Sequence, residues 1–120
     1  MANQTLEIVK YRGNNSTVFT GRPEGKLARA DLNLDARDSD GIVYNVVIPK
    51  GTTSFNSSFF LGMFFDSIKA LGSIEKFYEK YIFIVEEQDI EWNAILQKNL
   101  SECRRKATNE FNRSTGIDFI

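Results

Sequence analysis

Ile42-Val43-Tyr44-Asn45-Val46-Val47-Ile48 decides the fold. The run is nearly continuous in apolar side chains and rich in β-branched ones, and Pro49-Lys50-Gly51 ends it. Such a run reads as a strand covered on both faces, at the centre of an α/β sheet. Tyr81-Ile82-Phe83-Ile84-Val85 repeats the signature. Between the two, apolar periodicity predicts a helix from about Ser58 to Leu71, with Gly72 as its C-cap, and a shorter one from Ile74 to Lys80. Two buried strands joined through a helix are expected to lie parallel, with a right-handed crossover.

Upstream, Thr5 to Tyr11 alternates like a strand with one buried face. Arg12-Gly13-Asn14-Asn15 is turn chemistry, and Ser16 to Thr20 returns as a second strand. Together they predict an N-terminal hairpin. Gly21-Arg22-Pro23-Glu24-Gly25 introduces a helix expected over Glu24 to Leu34, followed by a charged loop, Asp35 to Gly41. Downstream, Asp89 is placed to cap a last helix carrying Ile90, Ala94, Ile95, Leu100 and Cys103 on one face. Ile117, Phe119 and Ile120 in the tail are expected to dock on the body. The expected fold is α/β: a single domain over residues 1–120, with a small mixed four-stranded sheet, an N-terminal hairpin, central parallel strands and packed helices.

Composition narrows the function classes. The chain has 120 residues, 42% of them hydrophobic, with 15 basic against 16 acidic side chains, so it has the apolar content of a folded domain without the charge excess of a disordered one. No apolar run approaches the roughly 18 residues of a membrane span. Met1-Ala2-Asn3-Gln4 lacks a basic-then-apolar leader, and a lone cysteine suits a reducing compartment, so a cytoplasmic location is expected. There is no histidine, which removes the usual neutral-pH base and the commonest metal ligand. No catalytic residue, metal or cofactor is assigned.

At the passage from the central strand into the apolar helix, Val46-Val47-Ile48-Pro49-Lys50-Gly51 and then Phe55-Asn56-Ser57-Ser58-Phe59-Phe60-Leu61-Gly62-Met63-Phe64 resemble the core of STAS domains, the sulfate transporter and anti-sigma factor antagonist family. The resemblance is closer to the bacterial STAS-like branch of unknown function. The segment Gly21 to Arg29 is similar to the Gly/Arg stretch that this branch carries before its first helix. The layout matches over most of the chain, whereas only Phe55 to Phe64 is motif-like. In the anti-sigma factor antagonists the junction reads Asp-Ser-Ser/Thr-Gly, and the serine after the acid is phosphorylated by a partner kinase. Asn56 takes the acidic place, Ser57 the acceptor place and Ser58 its neighbour, while Phe59 replaces the small residue that follows. The resemblance implies a regulatory module of a bacterium or its phage, docking an ATP-binding kinase-like protein or a neighbouring regulatory protein, with Phe55, Asn56, Phe59 and Met63 as the expected contact residues.

Two readings attach to Ser57 and Ser58: N-caps of an apolar helix, or a phospho-switch on a helix N-terminus. Phe59 and Met63 fall outside the broad apolar face of the helix, which suits a partner groove, a homodimer patch, or cover by the tail or the N-terminal hairpin. Arg22 and Lys26, before and within a glycine-containing helix start, suggest an anion site, and a small-ligand or nucleotide pocket between the Gly21 loop and the Ser57 junction is the alternative function. Cys103 reads as a structural thiol despite Arg104-Arg105-Lys106 beside it. These cations with Arg113 read as a solvated helix end and not as a nucleic-acid site, given a pI near 5.5. Glu86, Glu87, Asp89 and Glu91 read as a charged loop, with no further pattern for a cation.

Overall fold

The computed structural model describes residues 3–12, 17–86 and 88–115. The element order is β1 (Gln4–Glu7), β2 (Val18–Phe19), α1 (Arg22–Asp31), α2 (Leu34–Arg37), β3 (Tyr44–Ile48), β4 (Ser54–Phe55), α3 (Ser57–Leu71), α4 (Ile74–Lys80), β5 (Tyr81–Val85) and α5 (Ile90–Thr115), with one 3-10 turn at Val9–Arg12. The fold is mixed α/β. One sheet has the order β1-β3-β5, and both of its pairings are parallel. β2 and β4 form a separate parallel pair.

The parallel relation of the two apolar strands is as expected, but among the described residues the N-terminal hairpin and the four-stranded mixed sheet are not found. β1 stops at Glu7, because the chain winds into the 3-10 turn that buries Tyr11. Its edge pairs with β3, Leu6 opposite Val46, while Phe19 of β2 pairs with Phe55 of β4. The turn expected at Gly13 to Asn15 lies outside the described residues, as does the docking of Ile117, Phe119 and Ile120.

The sheet is also not covered on both faces. Tyr44, Val46 and Ile48 are buried, whereas Asn45 and Val47 between them are only half-buried, and Ile82 and Ile84 of β5 are exposed. An apolar run with β-branched residues reads the same whether one face or two are packed, and here Asn45 was the polar residue marking the open side. On the packed side, Phe19, Phe55, Phe59, Phe60, Phe64, Phe77, Tyr81 and Phe83 touch ring to ring, with centroids 5.2–6.5 Å apart. Phe55 against Phe83 joins the small sheet to the large one.

α3 lies at the centre, buried at nearly every position from Phe59 to Ile68. α1 makes the most extensive helix contact with it. The contact rests on two glycines. A Cβ on Gly25 would sit 2.2 Å from the carbonyl oxygen of Phe59, and one on Gly62 would sit 2.2 Å from the carbonyl oxygen of Arg22. The two backbones therefore approach more closely than any side chain allows, and α1 covers the flank of α3 that carries Phe59 and Met63. Helix α1 begins earlier than the pattern predicts, at Arg22 with proline in its first turn, and ends at Asp31; Asn33, with a left-handed φ of 53°, separates it from α2.

Gly62→Ala drives its added methyl into the main chain of Arg22, an overlap that only separation of α1 from α3 relieves. It is expected to lower unfolding free energy by about 2–4 kcal/mol with the fold retained, measured by chemical denaturation.

Candidate functional site

The strand-to-helix junction is built by three short interactions. The Asn56 N–H donates to the Phe19 carbonyl at 2.8 Å, which holds the residue extended beside β2. Its side-chain oxygen then accepts from the Ser58 N–H at 2.8 Å and from the Ser58 hydroxyl at 2.7 Å. The cap of α3 is thus Asn56, and neither serine fills that role; asparagine caps as well as aspartate or serine does. The Ser58 hydroxyl also accepts from the Gly21 N–H at 3.0 Å, tying the start of α1 to the start of α3. Ser57, the first residue of the helix, is half-buried. It lines a cleft of about 150 Å³ with Ser54, Asn56 and, from α5, Asn99, Glu102 and Lys106. The Asn99 side chain accepts from the Phe55 N–H at 2.8 Å and holds α5 against this mouth.

Not every residue of the expected docking surface is accessible. Asn56 is exposed, but Phe55, Phe59 and Met63 are buried, the last two completely. Phe59 packs between Phe19 and Phe55, and both Phe59 and Met63 lie under α1 at the glycine crossing. An apolar helix packed on two sides has no free flank, so the partner groove and homodimer patch expected there do not exist. Nor does the structure assemble an anion site from Arg22 and Lys26. Arg22 reaches across to Glu110 of α5 at 3.4 Å, Lys26 is exposed on α1, and the Gly21 N–H is spent on Ser58. The Gly21 loop and the junction are in direct contact, which closes the pocket expected between them.

A polar cluster that local sequence reading missed lies at the amino ends of β3 and β5. The buried Arg29 guanidinium donates to the Met63 carbonyl at 3.0 Å, to Ser67 at 2.7 Å, to Asp35 at 2.6 Å and to Asp38 at 2.8 Å. Tyr81 donates its hydroxyl proton to Asp38 at 2.6 Å. Lys80 donates to Asp40 at 2.9 Å and to the Ile42 carbonyl at 2.6 Å, and its ammonium lies over the rings of Tyr44 and Tyr81. Tyr44 donates to Asp40 as well, and Arg37 donates to the Tyr44 oxygen at 3.2 Å. Partners from residues 29 to 81 meet here, so no window of sequence shows the constellation, and Asp35 to Asp40 alone looks like a solvated loop. Partial burial works against the Asp40 anion, but the bonds from Tyr44, Lys80 and the Ile42 N–H outweigh it and bring its carboxyl to about 2. Burial and the bond to Asp38 push the Tyr81 hydroxyl far up. With its acids already matched to cations and its tyrosines held protonated, the cluster is suited to fixing α1, α3 and β5 together.

At the opposite end, Lys50, Gly51, Gln88, Asp89 and Trp92 surround an open cleft of about 710 Å³ beyond the carboxyl ends of β3 and β5. The Glu86 carboxylate accepts from the Lys50 N–H at 2.7 Å, and the Gln88 side chain accepts from the Gly51 N–H at 3.4 Å. Among the described residues no group of acids or cysteine is placed to hold a metal. Cys103 is fully buried, and burial, with Glu102 beside it, pushes its thiol up to about 12. Of the nearby cations, Arg105 and Lys106 pair with Glu102, and Arg104 covers the Tyr78 ring at 4.5 Å. Of the α5 face that periodicity suggests, Cys103 is buried and Leu100 packs against the core, whereas Ile90, Ala94 and Ile95 are exposed; Leu96 and Ala107 complete the buried stripe.

Asp40 links this geometry to pH. Its carboxyl lies below the ordinary value in the folded state, so its contribution is complete above about pH 4 and is lost as pH falls toward 2. Asp40→Asn is expected to cost about 1–2 kcal/mol at neutral pH and to flatten the decline of stability between pH 4 and 2, read from denaturant midpoints at a series of pH values.

Comparison of the chain with models of protein families, with curated proteins and with solved structures gives no match.

Proposed function

We propose that the chain is a regulatory protein-interaction module that docks a partner at the β4–α3 junction, with Ser57 as the point of control. The observation that carries this reading is the division of labour between adjacent serines. The Ser58 hydroxyl is committed to Asn56 and Gly21, whereas Ser57 faces the Asn99–Lys106 cleft of α5. A phosphate on Ser57 would meet the first-turn N–H groups of α3, the positive end of its dipole, and Lys106, with Glu102 opposing. It would also add nearly two negative charges to a mouth that a partner must cover. The STAS-like resemblance of Phe55 to Phe64 supports the same position and suggests an ATP-binding kinase-like regulator as partner, in the cytoplasm, for a protein of a bacterium or its phage. The docking rim on this reading is polar, Ser54, Asn56 and Ser57 with Asn99 and Lys106, and no catalytic step belongs to it.

The test is affinity capture from the native cell with wild type, Ser57→Ala and Ser57→Glu. A specific partner is expected with wild type and Ser57→Ala, and Ser57→Glu is expected to weaken it at least tenfold in a titration with the purified pair. A partner held equally by all three removes Ser57 from the mechanism.

A second reading, a small ligand at the carboxyl ends of the strands, draws support from the open cleft beside Trp92. Ligands of α/β sheets settle at that end, and the Gln88 side-chain nitrogen is buried there without a hydrogen-bond partner among the described residues. Trp92 is the chain's single tryptophan and lines this cleft, so its fluorescence reports on it. On this reading a panel of nucleotides and metabolite acids contains a compound that shifts the emission and raises the melting temperature together. Emission unmoved across the panel counts against the reading.

A further inference from the structure

The β1-β3-β5 sheet ends in two unlike edges. β1 is short and carries Glu7. β5, Tyr81–Val85, has no charge and no proline, the devices that ordinarily keep an edge strand from pairing. The Glu86 N–H donates to the Ile48 carbonyl at 3.0 Å, which fixes the phase of the ladder. By the alternation of a parallel pairing, the main-chain groups of Ile82 and Ile84 point to β3, and those of Phe83 and Val85 point away from it. On that outer side the Tyr81 N–H is already bonded to the Phe77 carbonyl. Most of the large apolar side chains that the described residues leave exposed belong to this stretch: Ile82 at 37% and Ile84 at 41% on the open face, then Ile90 at 85%, Trp92 at 40% and Ile95 at 40% on α5. α5 runs back along β5, since Trp92 lies at the carboxyl-end cleft while Arg104 covers Tyr78, just before the strand begins.

We propose that this edge binds a second copy of the chain, β5 pairing antiparallel with β5 about a two-fold axis at Phe83. The main chain dictates the kind of occupant, because only another strand supplies acceptors and donors at strand spacing. The register then follows. Phe83 donates its N–H to the Phe83 carbonyl of the other copy, and Val85 donates to its Tyr81 carbonyl, with both bonds repeated by symmetry. The reciprocal bond, from the Tyr81 N–H to the Val85 carbonyl of the other copy, is not needed, because Phe77 already satisfies that N–H. On the open face Ile82 comes opposite Ile84 of the other copy, a non-hydrogen-bonded pair whose side chains are in contact. A foreign strand would meet the same main chain, but only self-pairing makes this side-chain match reciprocal. Five residues of strand bury less than the ~800 Å² per partner of a stable interface. The two α5 helices, brought side by side on the packed face, add Trp92 and Ile95 to it.

Sedimentation equilibrium of the full chain tests the proposal. A dimer is expected at tens of micromolar, and Ile82→Lys with Ile84→Lys, both on the exposed face, is expected to weaken it roughly 100-fold without loss of the folded circular dichroism spectrum. A second variant, Ile82→Cys with Ile84→Cys, keeps the strand uncharged. Mild oxidation is expected to link it into covalent dimers across the non-hydrogen-bonded pair, with the buried Cys103 silent. A monomer at several hundred micromolar overturns the proposal, whether or not the edge captures a foreign strand. So does a dimer indifferent to the lysines, and a dimer that the cysteine pair fails to link overturns the register.

Discussion

The close approach of α1 to α3 is the constraint on which the rest depends. Gly25 and Gly62 each face the other helix's backbone where no Cβ fits, so the helices meet main chain to main chain. This contact seals Phe59 and Met63 into the core. It also sets the position of Arg29, one turn beyond Gly25 on the same face of α1, close enough for its guanidinium to reach the Met63 carbonyl and Ser67 on α3. At the other end of α1 the Gly21 N–H meets the Ser58 hydroxyl. Junction, core and polar cluster are therefore three readings of one helix crossing.

The cluster around Arg29, Asp38, Tyr81, Lys80 and Asp40 adds direction to that crossing more than it adds net stability. Withdrawing a guanidinium and a carboxylate from water costs much of what their attraction returns, while removing one partner alone leaves a buried charge and costs about 3–5 kcal/mol. Its value is selectivity of arrangement. Arg29 can satisfy Met63, Ser67, Asp35 and Asp38 together only if α1, α2 and α3 adopt this mutual placement. Tyr81 and Lys80 extend the same condition to β5.

The sequence is legible wherever burial follows a simple period. Strands at Tyr44–Ile48 and Tyr81–Val85, their parallel relation, and the helices Ser57–Leu71 and Ile74–Lys80 all come through, because a continuous apolar run or a 3.6-residue stripe has few competing readings. The pattern is silent where one residue carries the decision. Gly25 weakens a helix on propensity grounds, yet its missing side chain is the reason the helix can pack. Phe59 and Met63 fall outside the apolar stripe of α3, and only the close approach that Gly62 allows puts them under α1. In the same way β1 and β2 show strand character but not which strands they pair with, since partner choice lies 36 to 40 residues away. At the junction the position of the helix start was readable, whereas the assignment of the cap to Asn56 and the tether to Ser58 required the Gly21 loop to be in place.

The interleaving of the two small sheets bears on how the chain acquires its structure. β1 waits for β3 and β2 waits for β4, so β1 cannot pair until the chain has grown past Val47, nor β2 until it has grown past Phe55. Even then α1 lacks the helix it packs on. Pairings of such sequence separation close slowly, because loop entropy is spent before any contact rewards it. On the ribosome the emerging N-terminal half would remain open, its apolar positions available to chaperones. Commitment would come late and nearly all at once, when α3 emerges and admits the glycine face of α1.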